Sequence, residues 1–169
     1  SITNSENMLL KKITLFLILL SIYNSLNGQE LPTKTDIISV LQLINDHWIG
    51  EHSDPGDNLW ARSAYFTGNM AMYEIYPKQN YLDYALFWAE QNNWAPGSRP
   101  RHADDHCCGQ TYIDLFKIEP DTSRISQIKQ RIDDMVNSKK IDDWWWIDAY
   151  YMAMPVFTRL GVLFNDTVY

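Results

Sequence analysis

The sequence predicts an all-α fold made of repeated helical hairpins, and three observations carry that prediction. After about position 35, apolar residues recur at helical spacing, and no stretch alternates apolar and polar residues for long enough to suggest a sheet. Turn-forming residues interrupt the helical runs at Pro55-Gly56, at Pro77, across 92–103 and at Glu119-Pro120. The runs also repeat. Segment 72–81 (MYEIYPKQNY) ends one helix and begins another, and segment 160–169 (LGVLFNDTVY) does the same. Tyr169 falls 88 positions after Tyr81, and Ile125 lies midway in the equivalent turn, 44 from each. Hairpins at a steady period form a stack or a ring, and this period is too long for tetratricopeptide or ankyrin units. A closed α/α toroid and a HEAT-like solenoid both satisfy it.

The elements follow in order. Lys11 and Lys12 precede an apolar run from Ile13 to Tyr23, and a short polar stretch then leads to Gly28-Gln29. This is the pattern of a secretory signal peptide. The run is roughly half of what a bilayer span needs, so no stable membrane anchor is expected after cleavage. Residues 1–7 precede Met8, the natural initiator. Residues 1–28 are therefore expected to be pre-initiator residues and signal peptide, and the product to be exported, to periplasm or medium.

Asp36 is the expected cap of a helix through Ile37, Ile38, Leu41 and Ile44 that ends near Trp48 and Gly50. A polar loop over 51–58 precedes a helix carrying Tyr65, Met70, Met72 and Tyr73, which stops near Pro77. Asn80 is the expected cap of a helix with Tyr81, Tyr84, Ala85, Trp88 and Ala89. Beyond the loop at 92–103, helices are predicted over about 104–118, 122–137 and 143–160. Tyr169 follows Asp166, a natural helix cap, so the sequence stops as another helix would begin. Repeat arrays need capping units, and the expectation is a truncated array.

Charge and composition narrow the function. Residues 1–28 carry Lys11, Lys12 and Glu6, so the remaining 141 residues hold 12 basic and 20 acidic side chains, a formal charge of −8 against −7 for the whole chain. Binding to nucleic acid needs clustered Lys and Arg and is not expected. A local patch remains conceivable, because Arg99 and Arg101 share one loop. Aromatics reach 14% with seven Trp and ten Tyr, more than a core needs, and flat apolar rings suit the CH-rich faces of sugars. The two cysteines, Cys107 and Cys108, are adjacent, so a mutual disulfide is strained. They read as small buried residues at a helix interface.

Two clusters carry candidate chemistry. In the first, residues 101–110 (RHADDHCCGQ), only pairs such as His102 with His106 or Asp104 with Cys108 converge at helical spacing. Neither makes a recognised metal site. One of Asp104 and Asp105 can serve the helix N-terminus, which leaves the other free. The second cluster is 142–152 (DDWWWIDAYYM). Asp142 and Asp143 read as first-turn acids. Asp148 is expected inside the helix, with Trp144 and Trp145 one turn before it and Tyr151 and Met152 one turn after. An acid there either serves a packed core through a Tyr or Trp partner or acts as a proton donor whose pKa low-dielectric surroundings raise. Asp104 and Asp148 are 44 residues apart, one repeat, which in a ring of hairpins places them on neighbouring equivalent inner helices. A carboxyl pair beside an aromatic cleft is general equipment for glycoside chemistry. An acid/base glycosidase and a non-catalytic sugar-binding array both fit these residues.

Trp60-Ala-Arg-Ser-Ala-Tyr-Phe-Thr-Gly68, Arg101-His-Ala-Asp104 with Gly109-Gln-Thr-Tyr112, and Asp143-Trp-Trp-Trp-Ile-Asp148-Ala-Tyr-Tyr-Met152-Ala-Met-Pro155 together resemble the unsaturated rhamnogalacturonyl hydrolases. These form glycoside hydrolase family 105, close to the unsaturated glucuronyl hydrolases of family 88. The resemblance runs from about Asp36 to Tyr169. It implies an (α/α)6 toroid of six hairpins, of which residues 29–169 would be the N-terminal part of a single catalytic domain. It also implies a pectin-derived oligosaccharide ending in a 4,5-unsaturated uronic acid as substrate, with no metal or organic cofactor. In that family one Asp protonates the C4=C5 vinyl ether and activates the water that hydrates C5; the hemiketal then opens and releases the aglycone. By position, Asp148 resembles the proton donor, and Asp104 the partner carboxylate that orients sugar hydroxyls. Trp146 and Tyr65 resemble sugar-contacting aromatics, and Trp145 and His102 complete the expected substrate-binding set. The chain falls short of the family's length, so it is expected to be inactive alone.

Overall fold

The computed structural model describes residues 4–26 and 31–169, with side chains over 6–21 and 31–169. The expected signal-peptide junction at Gly28-Gln29 lies outside the described residues. The chain divides into two compact units, Ser1–Ile37 and Ile38–Tyr169. In the first, α1 spans Asn4–Leu26, and its described apolar side chains, such as Leu15, Phe16 and Leu17, are exposed. Among the described residues, no helix is long and apolar enough to cross a membrane.

Six helices follow: α2 (Lys34–Glu51), α3 (Trp60–Ile75), α4 (Gln79–Gln91), α5 (Cys108–Ile118), α6 (Ser123–Val136) and α7 (Ala149–Phe164). A 3₁₀ turn, Ala103–His106, leads into α5. The described residues contain no strand.

Several helix starts differ from the sequence expectation. Thr33, not Asp36, caps α2: the Asp36 carboxylate accepts from the Thr33 N–H (2.9 Å) and Oγ1–H (2.6 Å), while the Asp36 N–H donates to Thr33 Oγ1 at 3.2 Å. This reciprocal pairing is a capping box with Asp in the usual Glu position. Asn80 lies inside the first turn of α4, whose cap position is Lys78. The largest correction concerns α7, which begins at Ala149 rather than Asp143.

The packing explains the repeat. Phe66 and Met70 of α3, Tyr84, Ala85, Trp88 and Ala89 of α4, and Cys108, Tyr112 and Leu115 of α5 share one buried cluster. Ile113 of α5, Ile125, Ile128, Ile132 and Met135 of α6, and Val156 and Leu160 of α7 share the next. Thus α3, α5 and α7 form one layer, α4 bridges the first pair and α6 the second. The α6 isoleucines fall at i, i+3 and i+7, so one stripe is buried and the rest of the helix is polar. Tyr81 and Ile125 are each the third residue of their bridging helix and both are buried. This is the 44-residue period seen in three dimensions: half of an α/α toroid, built from hairpins.

Close approach of the layers depends on Gly109. A Cβ there would stand 2.6 Å from Ile128 Cγ1 and 3.1 Å from Val156 Cγ1. Gly109→Ala is therefore expected to force α5 away from α6 and α7 and to cost about 1–3 kcal/mol, as overpacked cores do. Chemical denaturation checks this, and an unchanged midpoint would contradict it.

Candidate active site

The site is built where α5 and α7 begin. The loop before α5 leaves α4 through Asn93 and Trp94, both in the left-handed region (φ 54° and 56°). The Trp94 N–H closes onto Ala89 C=O at 2.9 Å, and its ring packs against the first cluster, which offsets the strain. Asn58 and Tyr112 both donate to Ala95 C=O, at 2.6 and 3.0 Å, fixing the next stretch.

Asp105 anchors the rest of the loop. It is 1% exposed and accepts from the Arg99 N–H (2.7 Å) and Arg99 Nε (3.0 Å), with a further short ion pair to Arg99 Nη2. Burial pushes its carboxyl pKa up, but the hydrogen bonds and charge of Arg99 outweigh that and hold it below the ordinary carboxylate range. Gly97 N–H donates to the Asp105 carbonyl at 2.9 Å, and a side chain at Gly97 would collide with the Asp105 carboxylate, so Asp105 is boxed in.

Asp104, its neighbour, is free by comparison. Its Oδ2 lies 3.8 Å from Arg99 Nη2 and 3.6 Å from His102 Nδ1, beyond hydrogen-bond distance in both cases. One acid of the pair is thus consumed and the other is available, although Arg99 rather than the helix N-terminus consumes it.

The tryptophan run is not helical. Arg101 forms a two-pronged ion pair with Asp143, at 2.6 Å from Nε and 2.5 Å from Nη2, and its carbonyl accepts from Trp144 Nε1–H at 3.0 Å. These contacts tie Asp143 and Trp144 to the loop before α5. Arg101 holds the Asp143 carboxyl below its ordinary pKa. Chain then turns through Ile147 and Asp148, with the Ala149 N–H on Trp146 C=O and the Met152 N–H on Asp148 C=O. Asp148 is the residue before the first of α7, exposed, with no side-chain cap hydrogen bond. The expectation of an acid surrounded by aromatics within a helix is corrected accordingly: the segment has tertiary partners that a helix would break.

Asp104 and Asp148 nonetheless both precede adjoining helices, Asp104 in the 3₁₀ turn four residues before the first of α5 and Asp148 directly before the first of α7. The 3₁₀ turn carrying Asp104 and the residue after it pack on α7, Ala103 and Cys107 against Ala149, Met152 and Ala153. Beside it lies a cleft of about 430 Å³ lined by Arg99, Arg101, His102, Lys140, Asp143, Trp145 and Trp146. Trp145 is 86% exposed, so it serves no core. Its ring stands edge-on to Trp146 at 5.0 Å, and Trp146 lies 4.8 Å from His102. Three expected substrate-contacting residues therefore share one cleft wall. Tyr65 is placed differently. Its hydroxyl donates to Asn45 Oδ1 at 2.7 Å, its ring stacks on Trp48 at 4.7 Å, and it is packed between α2 and α3. Arg99 and Arg101, expected as an anion patch, are both engaged by carboxylates.

The remaining titratable groups serve packing. His106 is buried and donates from Nε2 to Pro100 C=O at 2.9 Å; burial lowers its pKa to about 4, so it is neutral. Cys107 and Cys108 are free and buried, and burial raises each thiol to about 12.

With this geometry in place, comparison with known proteins is decisive. The glycosyl hydrolase family 88 model matches residues 37–169. The chain belongs to glycosyl hydrolase family 88. An unsaturated 3S-rhamnoglycuronyl hydrolase from Formosa agariphila is 28% identical over 97% of this chain and 48% of its own length. A solved family 88 structure from Bacteroides vulgatus is 26% identical with a TM-score of 0.77, covering 81% of this chain and 44% of that one. A second solved structure, described as a polysaccharide lyase, is 30% identical with a TM-score of 0.75, over 79% of this chain and 42% of that one. The family 88 chain thus spans about half the length of the relatives it matches.

Proposed function

We propose that this family 88 segment supplies the proton-transferring half of a hydrolase that removes a 4,5-unsaturated uronic acid from the non-reducing end of pectin-derived, rhamnogalacturonan-type oligosaccharides. The observation that carries this reading is the cleft walled by Trp145, Trp146 and His102, residues adjacent in the chain to the two acids: Asp104 follows His102 by two positions and Asp148 follows Trp146 by two, although neither acid lines the cleft itself. Its support from relatives is the likeness to the Formosa protein, named an unsaturated 3S-rhamnoglycuronyl hydrolase. Asp148 protonates the vinyl ether at C4 and activates the water that adds at C5; Asp104 holds sugar hydroxyls; Trp145 and Trp146 carry the apolar faces of the rings. An exposed carboxylate suits water activation here, and the cleft gains its low dielectric when the remainder of a family-length toroid and the substrate cover it. Export of the protein through residues 1–28 belongs to the same proposal.

The 169-residue chain is expected not to turn over an unsaturated rhamnogalacturonan disaccharide, because groups across the lumen complete the site. Loss of the double-bond ultraviolet absorbance reads this directly. Robust turnover by the chain alone would refute the requirement for the second half.

A further inference from the structure

Helix α7 contains Pro155, which has no N–H and so leaves the carbonyl one turn earlier, that of Tyr151, without its helical donor. A buried orphan carbonyl is costly. The structure supplies a substitute from another helix. Gln110, in the first turn of α5 and 2% exposed, donates from Nε2 to Tyr151 C=O at 2.8 Å, with Met152 C=O at 3.3 Å. Only the amide's NH₂ can serve two carbonyls, so its orientation is fixed by chemistry. The backbone of Gln110 is itself held from α7: Arg159 Nη1 donates to Gln110 C=O at 2.9 Å and to Asp114 Oδ2 at 2.6 Å.

We infer that Gln110 is a positioning residue: its side-chain amide replaces the N–H that Pro155 removes and thereby locks the first turn of α7, and Asp148 at its start, onto α5. Residues 149–152 begin the helix immediately after Asp148, and the Met152 N–H on Asp148 C=O is the bond that sets the direction of that turn. The same residue follows closely on Asp104 in the chain, so one amide couples the two helix starts that carry both carboxylates. The geometric claim is independent of the proposed reaction; its catalytic meaning rests on that reading.

The test pairs Gln110→Leu with Pro155→Ala in the 169-residue chain and follows amide hydrogen exchange, which needs no substrate. Gln110→Leu is expected to accelerate exchange at Ala149–Ala153 about tenfold beyond any change in α4 and α6. Pro155→Ala restores a backbone donor to Tyr151 C=O, so in that background Gln110→Leu should produce no local acceleration. Should Gln110→Leu fail to fold, Gln110→Asn, which retracts the amide by one methylene, replaces it with the same expected pattern. Uniform acceleration across all helices, or a local effect that Pro155→Ala does not rescue, would overturn the inference. A separate readout, kcat of a family-length enzyme carrying Gln110→Asn, is expected to fall with KM little changed and to recover with Pro155→Ala. Failure of that arm alone, with exchange as expected, would count against the proposed reaction and not against the positioning role.

Discussion

Asp148→Asn in a family-length enzyme carrying this segment is expected to lower turnover of an unsaturated uronide by roughly 10²–10⁴-fold, the range for losing a general acid/base. Stability should hardly change. Asp148 is exposed and makes no side-chain cap hydrogen bond, so its carboxylate holds nothing in place. An amide keeps the shape and cannot supply the proton or activate water. Turnover is measured by loss of double-bond absorbance, stability by thermal denaturation, and binding by calorimetry with the substrate on the inactive variant. Retained binding with lost turnover identifies an enzyme. A variant that turns over normally removes Asp148 from the mechanism.

Arg99→Ala should have the largest effect on folding. It leaves the Asp105 carboxylate 1% exposed with only the Arg99 backbone N–H to satisfy it. Stranding a buried charge costs several kcal/mol, and about 3 kcal/mol is expected near neutral pH. The sign of the pH dependence follows from linkage. In the native chain the Asp105 pKa is depressed, so its contribution is present above the unfolded carboxylate value near 4 and is lost as pH falls through the lower folded value. Without Arg99, burial dominates and raises that pKa, so the variant takes up a proton more readily. The stability gap between the two proteins should be widest near neutrality and narrow as pH falls, first as the variant's raised carboxyl takes up its proton above about 4 and then, below about 4, as the native chain loses its own contribution. Denaturant melts across that range check it, and a gap independent of pH would contradict the account. Because Asp104 adjoins Asp105, the variant should also lose turnover in a family-length enzyme.

The hairpin repeat was legible because it rests on local signals. Helical apolar stripes, proline and glycine turns, and the spacing of Tyr81, Ile125 and Tyr169 are written in short stretches; Tyr81 and Ile125 are buried at equivalent positions of α4 and α6, while Tyr169 lies beyond α7 and packs partly buried on the second cluster. The capping box Thr33-x-x-Asp36 was equally local, and its threonine was the signal passed over. The start of α7 was not legible. What keeps residues 143–146 out of the helix is an ion pair and an indole hydrogen bond to Arg101, 42 and 43 residues away. Nothing within the run reports them. Tyr65 shows the converse: its family-like motif sits on a helix, but its hydroxyl is committed to Asn45 from α2. For the two adjacent acids, spacing alone showed that one would be used internally. Which one depended on Arg99 reaching Asp105 from six residues earlier. The Gln110 contact also escaped the sequence, although Pro155 inside an apolar helix was a visible clue that some donor had to come from elsewhere.

The central proposal is that a family-length enzyme carrying this segment acts on the double bond of an unsaturated uronide and not on an ordinary glycosidic bond. The most direct measurement offers a family-length enzyme carrying it two rhamnogalacturonan disaccharides, one ending in the 4,5-unsaturated uronate and one in its saturated counterpart. Absorbance and released sugar are followed together. The account predicts that absorbance falls in step with aglycone release from the unsaturated sugar and that the saturated one is untouched. Cleavage of the saturated disaccharide, or aglycone release that leaves the double-bond absorbance intact, would contradict it.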